Sequence, residues 1–456
     1  MGIVMKIKML NATLLGVSLL LGSTAAHSAN LNVVAGAKAD LVESLPKYGK
    51  PKSAHYSGYL AVQSTLPAST AEQVYYYLAT AQNDVKDDAP VILWLNGGPG
   101  SSSFYGFFTE NGPYTIGGDA ELKENPFAWN KHSNFLIFDQ PLGVGYSYPS
   151  KQYQIKDEKQ TTHELYLALQ AFYAKFPGLK KRKLFIAGES YAGRYIPEVA
   201  VEILKQNKQN TANKIPLTGI MLGDAWVNPL LQQSQDADYA YSHGLIDYNG
   251  KKMVESFYAA CAQGIQSEVI SSKATNAKCG RMVDFIRDKS GIDLHNINNL
   301  MPNESNNAYA LEYKSLADYL NRSDVKRALH VNSNESFNLY SEFVGNALEV
   351  GIQNSAAPLI RELLNQKLNV LIYNGMNDAK DCNFMGTSLW LRELNWQQFN
   401  QTSQKPYLNR EGKIIGYLTQ YNNLSYIKMF NGGHMLPEDQ PENSLYMIDQ
   451  FVGIFN

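Results

Sequence analysis

The stretch Leu184-Phe185-Ile186-Ala187-Gly188-Glu189-Ser190-Tyr191-Ala192-Gly193-Arg194-Tyr195-Ile196-Pro197 constrains the fold of this chain more than any other. Its first four residues are uniformly apolar, which predicts a buried parallel strand. Gly188 opens a turn, and a helix restarts beyond Ser190. Small residues around a serine are what a sharp strand-to-helix turn needs if it is to lift the hydroxyl clear of the sheet. The helix beginning there aims backbone N–H groups at the space above the serine, where negative charge is stabilised. A serine that merely caps the helix gives the same local pattern, so the rest of the chain must decide between the two.

Around this turn the apolar runs alternate with helical spacing. Tyr56–Val62 and Val74–Thr80 read as aromatic-rich antiparallel strands; Val91–Leu95, Phe135–Phe138 and Ile215–Leu222 read as short buried ones. Leu165, Leu169, Phe172 and Phe176 recur at helical spacing and end at Pro177-Gly178. The rhythm breaks near Gly223, runs polar and mixed-helical to about His330, and returns in Leu368–Tyr373 and Leu424–Phe430. A last helix places Leu445, Ile448, Val452 and Phe455 on one face. The expected architecture is α/β: a central, mostly parallel sheet with helices on both faces, interrupted by a mixed-helical cap. In residue numbers this is a first core part over 30–223, a cap over 224–330 and a second core part over 331–456.

Residues 1–29 have a short basic start, a short apolar run and a small-residue exit, the pattern of a secretory signal peptide. Cleavage after Ala25, Ala26 or Ala29 is equally compatible with it. No later stretch is apolar enough to predict a membrane anchor. The location this implies is secreted or periplasmic, with lysosome or vacuole as the eukaryotic alternative. The 40 basic and 42 acidic residues give a formal net charge of −2, which offers no footprint for nucleic acid. Of the three cysteines, Cys261 and Cys279 are close enough to form a local disulfide, leaving Cys382 unpaired.

A serine nucleophile needs a base, and the base needs an acid to hold its tautomer. The candidate base is His434, in the glycine-rich loop Asn431-Gly432-Gly433-His434-Met435 just past a strand. The acid belongs in Asn374-Gly375-Met376-Asn377-Asp378-Ala379-Lys380-Asp381-Cys382, where Asp378 is preferred over Asp381 because it lies closer to the strand end. Ser190, Asp378, His434 is the chain order of α/β-hydrolases. An oxyanion hole needs two pre-aimed N–H donors. Tyr191 offers one, and the glycine-rich loop Asn96–Ser103 offers the other.

Four blocks carry a family resemblance: Trp94-Leu95-Asn96-Gly97-Gly98-Pro99-Gly100-Ser101-Ser102-Ser103, Asp139-Gln140-Pro141, Gly188-Glu189-Ser190-Tyr191-Ala192-Gly193 and Gly433-His434-Met435. Together they resemble the signature blocks of the serine carboxypeptidases, exopeptidases of the α/β-hydrolase fold that work at acidic pH. The resemblance runs from about Tyr56 to the C-terminus and is loosest over the cap. It implies Ser190, Asp378 and His434 as the triad and the amides of Gly98 and Tyr191 as the oxyanion hole. It further implies that Asn96, the Gly97 amide, Glu110 and Glu189 hold the substrate's C-terminal carboxylate, and that Trp94, Tyr105, Thr109 and Met435 border the leaving-residue pocket. Two carboxyls held together cannot both ionise cheaply, so Glu110 and Glu189 should share a proton.

The chain departs from the family pattern in three places. Ser101 stands where a disulfide-bonded Cys is usual; the acid loop is one residue longer between the Asp and Cys382; and Arg194 replaces a commoner histidine, with no catalytic effect expected. Cys382 is implied to be a buried free thiol near the site, open to mercurials. The expected substrates are peptide and protein C-termini, with no cofactor and no metal, since no ligand cluster has the right spacing. The rival readings are an acyltransferase or esterase on the same fold, and a binding or stabilising partner with incidental catalysis. The sequence carries no signal of oligomeric state.

Overall fold

A computed structural model describes residues 33–62, 72–83, 88–267, 273–300, 308–332, 334–380 and 382–454. The leader over 1–29, the alternative acid Asp381 and the terminal Phe455 lie outside the described residues.

The described residues contain twelve strands: β1 His55–Ala61, β2 Gln73–Ala79, β3 Val91–Leu95, β4 Tyr114–Ile116, β5 Leu122–Glu124, β6 Asn134–Asp139, β7 Leu184–Ser190, β8 Leu217–Ala225, β9 Asn369–Gly375, β10 Lys405–Leu408, β11 Ile414–Tyr421 and β12 Leu424–Met429. Ten of them form one sheet in the order β1-β2-β6-β3-β7-β8-β9-β12-β11-β10, and β4 and β5 form a separate hairpin. The six central strands, β6 to β12 in that order, pair in parallel, while both edges are antiparallel. Crossovers explain the pattern: the central strands are joined by chain segments long enough to carry helices, whereas β11 and β12 are joined by a short turn.

The alternation of side chains along each central strand builds two cores. Val91, Leu93 and Leu95 of β3 and Leu184 and Ile186 of β7 face one cluster, which also contains Leu169 and Phe172 of helix Glu158–Lys175 and Ile196 and Val199 of helix Ala192–Gln209. Ile92, Trp94, Phe185 and Ala187 face the other, with Phe104 and Phe107 of helix Phe104–Thr109 and Ile448 of helix Pro441–Val452. Strands buried on both faces read as continuous apolar runs, which is why they were visible in the sequence.

Between β8 and β9 the chain is helical. Helices Tyr248–Gln266 and Lys273–Ser290 pack on each other around a separate apolar cluster that includes Val254, Cys261, Cys279, Met282 and Ile286. The Cys261–Cys279 disulfide joins these two helices. Farther along, helix Ala308–Asn321 behaves differently: its Leu316, Tyr319 and Leu320 join the core cluster beneath the sheet. Among the described residues, no helix is long and apolar enough to cross a membrane.

Candidate active site

Ser190 ends β7 with φ of +59°, a left-handed conformation that is costly for a residue with a Cβ. The neighbouring strand shows how this is held. β8 is bulged there, pairing Gly223 with Glu189 and Ala225 with Ser190 so that Asp224 is the extra residue. Beyond the turn, the Trp226 N–H donates to the Ser190 carbonyl at 2.8 Å. Gly97 packs directly against the elbow, where a Cβ would come within 2.4 Å of the Tyr191 nitrogen and 2.9 Å of the Ser190 Cβ. The glycine-rich loop is tied by backbone bonds to 339–341: Ser102 N–H donates to Leu339 at 2.8 Å and Ser341 N–H to Gly100 at 2.9 Å.

His434 and Asp378 leave the carboxyl ends of β12 and β9, two strands that pair in parallel. The imidazole Nδ1 lies 2.8 Å from the Asp378 carboxylate, with Asp378 fully buried and His434 nearly so. The two loops are laced together: Asn377 N–H donates to Gly432, and a Cβ on Gly375 would strike the Gly433 carbonyl. The segment between β8 and β9 contributes as well, since the His295 carbonyl accepts the His434 N–H at 2.7 Å. A histidine fixed in this way by a carboxylate presents its other ring nitrogen as a base.

Gly98, Ser190 and Tyr191 line a common cleft. The Tyr191 N–H falls in the first turn of its helix and has no intrahelical acceptor. Burial has raised the proton affinity of Glu110 well above the ordinary value, with Glu189 adding to the shift, and burial likewise raises Glu189. Asn96 joins the pair. Its side-chain nitrogen donates to Glu189 at 2.9 Å and lies 3.4 Å from Glu110. Its oxygen accepts from the Trp94 indole N–H at 2.9 Å and from the Gly106 backbone at 3.1 Å. An indole nitrogen can only donate, so the orientation of the amide is determined.

Trp94 was expected beside the leaving residue. It is instead fully buried, edge-on to Trp129 with ring centroids 5.3 Å apart, and holds Asn96 from behind. Thr109 is also buried and turns its hydroxyl to the Tyr105 carbonyl at 2.9 Å. Tyr105 stacks obliquely on Tyr313, and its hydroxyl lies 3.5 Å from Glu438. Met435 is half-buried, beside His434. Cys382 is buried and outside any disulfide. The ligand atoms of Asp378, Cys382 and His434 lie within 4.8 Å of one another. Arg194 is buried in an ion pair with Glu198 at 2.7 Å and donates to the Asn354 carbonyl, which fastens its helix to 349–354.

Sequence reasoning missed Asp224. Its carboxylate accepts from the Gly375 N–H and the Asn374 side chain, so it braces the start of the acid loop. Burial and the nearby Asp378 push its proton affinity well up. The signal was present as an acid at the end of an apolar strand, but only the bulge reveals where it points.

The family model described as serine carboxypeptidase matches residues 46–453. A serine carboxypeptidase family member of Dictyostelium discoideum is 34% identical over 403 residues, covering 87% of this chain and 93% of that protein. Serine carboxypeptidase-like 48 of Arabidopsis thaliana is 32% identical over 409 residues, covering 87% and 78%. The crystal structure of a prohormone-processing carboxypeptidase from Saccharomyces cerevisiae superposes with a TM-score of 0.80 at 22% identity, covering 92% of this chain and 96% of that one, and so shares the α/β-hydrolase fold. The chain therefore belongs to the serine carboxypeptidase family and is a serine-type carboxypeptidase hydrolase.

Proposed function

We propose that this enzyme releases single C-terminal residues from peptides through an acyl-enzyme at acidic pH, with Ser190, Asp378 and His434 as its triad. The observation that carries the reading is the buried Asn96–Glu110–Glu189 cluster next to the elbow. A substrate carboxylate meeting this cluster receives the Asn96 amide, the Gly97 N–H and the proton shared by the two glutamic acids. With that anchor in place, Ser190 Oγ attacks the last peptide carbonyl while His434 takes its proton. The Gly98 and Tyr191 N–H groups stabilise the oxyanion. His434 then protonates the departing amine, the C–N bond breaks, and the acyl group remains on Ser190. Water, deprotonated by His434, releases it.

Acidic operation follows from the anchor. With one proton the pair donates to the incoming carboxylate; with none it repels it. A raised proton affinity keeps that proton in place above the usual glutamate range. The loss of that proton therefore sets the alkaline limit of the working range.

The leader pattern over 1–29 supports secretion. One relative, 30% identical over 427 residues, is a vacuolar serine-type carboxypeptidase of Saccharomyces cerevisiae, which favours an acidic compartment in that setting. Hydrolysis of N-blocked dipeptides with free or amidated C-termini, followed between about pH 4 and pH 8, tests the mechanism. The expected result is preference for the free acid, fading as pH rises. Equal turnover of the amide, or transfer to an alcohol in place of water, would favour the esterase or acyltransferase alternative.

A further inference from the structure

At the carboxyl ends of β7, β8 and β9, Glu189 pairs with Gly223 and Gly223 pairs with Tyr373. The three residues form one row across the sheet. Side chains alternate along a strand, and the residues two places earlier, Ala187, Met221 and Leu371, all belong to the same core cluster, as does Tyr373 itself. Glu189 and Tyr373 therefore project to one face, with a glycine between them. A Cβ on Gly223 would lie 2.5 Å from the Tyr373 hydroxyl oxygen, so the phenol lies across the glycine on the way to β7.

Tyr373 is almost wholly buried, and its hydroxyl has no hydrogen-bond partner among the described residues. A buried phenol ordinarily finds one. Apart from the proton that the glutamic pair would share, the Oε2 atoms of Glu110 and Glu189 have no partner either. Oε1 of Glu189 is already served by Asn96. Asp224 is also near the phenol, but its two oxygens accept from the Gly375 N–H and the Asn374 side chain. An unused donor and an unused acceptor thus stand in one row. Burial raises the proton affinity of the phenol well above its ordinary value, with Glu189, Asp224 and Glu110 adding to the shift, so the hydroxyl stays a donor.

We propose that Tyr373 is a positioning residue of the carboxylate anchor, its hydroxyl donating to Glu189 as the glutamic pair ionises and so setting the pH at which the anchor fails. The inference rests on the shared-proton reading above. The bond closes by rotation of the carboxylate or through one water. A donor favours the charged form of its acceptor, so the hydroxyl makes the last proton of the pair easier to lose. The other ionisable groups acting on the pair are His434, on Glu110, and Glu438 and Asp378, on Glu189. The two acids oppose ionisation, and His434 favours it only when protonated. Tyr373 joins Asn96 as a neutral donor that eases it, which confines the anchor to lower pH.

The test follows kcat/KM against pH for an N-blocked dipeptide with a free C-terminus, each profile scaled to its own plateau. Tyr373→Phe should move the alkaline midpoint upward by about 0.5–1 pH unit, the range expected for losing a hydrogen bond to a charged group. Loss of packing alone would lower the whole profile without moving the midpoint. Added to Glu110→Gln/Glu189→Gln, the same substitution should produce no further shift, because the ionisation it acts on is gone. Should the Phe variant fail to fold, 3-fluorotyrosine at position 373, a stronger donor of nearly equal size, decides instead and should move the midpoint downward. If the glutamine pair shifts the midpoint and the change at Tyr373 does not, the role of Tyr373 is overturned. If the glutamine pair itself leaves the midpoint in place, it is the shared-proton reading that falls.

Discussion

The side-chain amide of Asn96 donates to Glu189 at 2.9 Å with an orientation dictated from behind by Trp94, whose indole N–H occupies the amide oxygen at 2.9 Å. A fully buried tryptophan thus controls which atom a substrate carboxylate would meet. Asn96→Ala removes the donor and leaves the Trp94 and Gly106 N–H groups without their acceptor. The expected outcome is a 10- to 100-fold loss in kcat/KM, roughly the cost of about 1–3 kcal/mol for an unmade buried bond. The loss should fall on free-acid substrates and be small on amides. A loss equal on both would mean that Asn96 is only structural.

The glutamic pair should govern the alkaline limb of activity. Replacing Glu110 and Glu189 together by Gln keeps hydrogen-bonding groups in place and removes the ionisation. Activity toward free-acid peptides is then expected to persist to higher pH, moving the optimum upward. A pH profile with the wild-type midpoint would show that another group sets that limb.

The strands of the parallel centre were legible because both of their faces are buried, so the apolar runs are unbroken. Strand β11, by contrast, was missed: only Ile415 and Gly416 of Ile414–Tyr421 are buried, and a strand with so little core face, next to the edge strand β10, offers no clear alternation. Ser190, Asp378 and His434 could be nominated from their places after strands. Asp224 could not, because its place in the site depends on a bulge in β8. The boundary of the helical segment was hard for a similar reason. Helix Ala308–Asn321 is spaced like its neighbours, yet its buried side chains meet the core cluster. Periodicity records that a face is buried, not what covers it.

The φ of +59° at Ser190 separates two inactive variants that chemistry alone would treat as equal. Ser190→Ala keeps a Cβ in the left-handed region, whereas Ser190→Gly relieves it. Both should abolish turnover by about four orders of magnitude or more. The Gly variant should be more stable than the Ala variant by about 1 kcal/mol, read from denaturant midpoints at constant slope. Equal stability would mean that the elbow carries no strain.

The Cys261–Cys279 disulfide closes a loop with a sequence separation of 18, for which chain entropy alone gives about 3 kcal/mol. The bond ties helix Tyr248–Gln266 to helix Lys273–Ser290, and Cys279 and Val283 belong to the cleft wall. Replacing both cysteines by Ser should therefore raise KM for dipeptides while changing kcat little, since neither helix carries Ser190, Asp378 or His434. A selective fall in kcat would contradict this.

Stability itself should decline as pH rises. Burial raises the proton affinity of Glu110, Glu189 and Asp224, and lifts that of Asp139 to about 7. Above the unfolded carboxylate range, the native state holds more protons than the unfolded chain at these four sites. Their contribution is complete below the unfolded value and is lost as pH climbs through the folded one. Two histidines act in the opposite sense: burial lowers His55 to about 3 and also lowers His295, so acidification below about 6.5 favours the unfolded chain at those sites. From about pH 6.5 upward the histidines no longer contribute and the carboxyls act unopposed. Each proton by which the native state exceeds the unfolded one costs about 1.4 kcal/mol per pH unit. Thermal midpoints should therefore drop by several degrees between about pH 6.5 and pH 8, and Glu110→Gln/Glu189→Gln should reduce that drop. A midpoint that rises over the same interval would mean that these carboxyls are ionised in the native state.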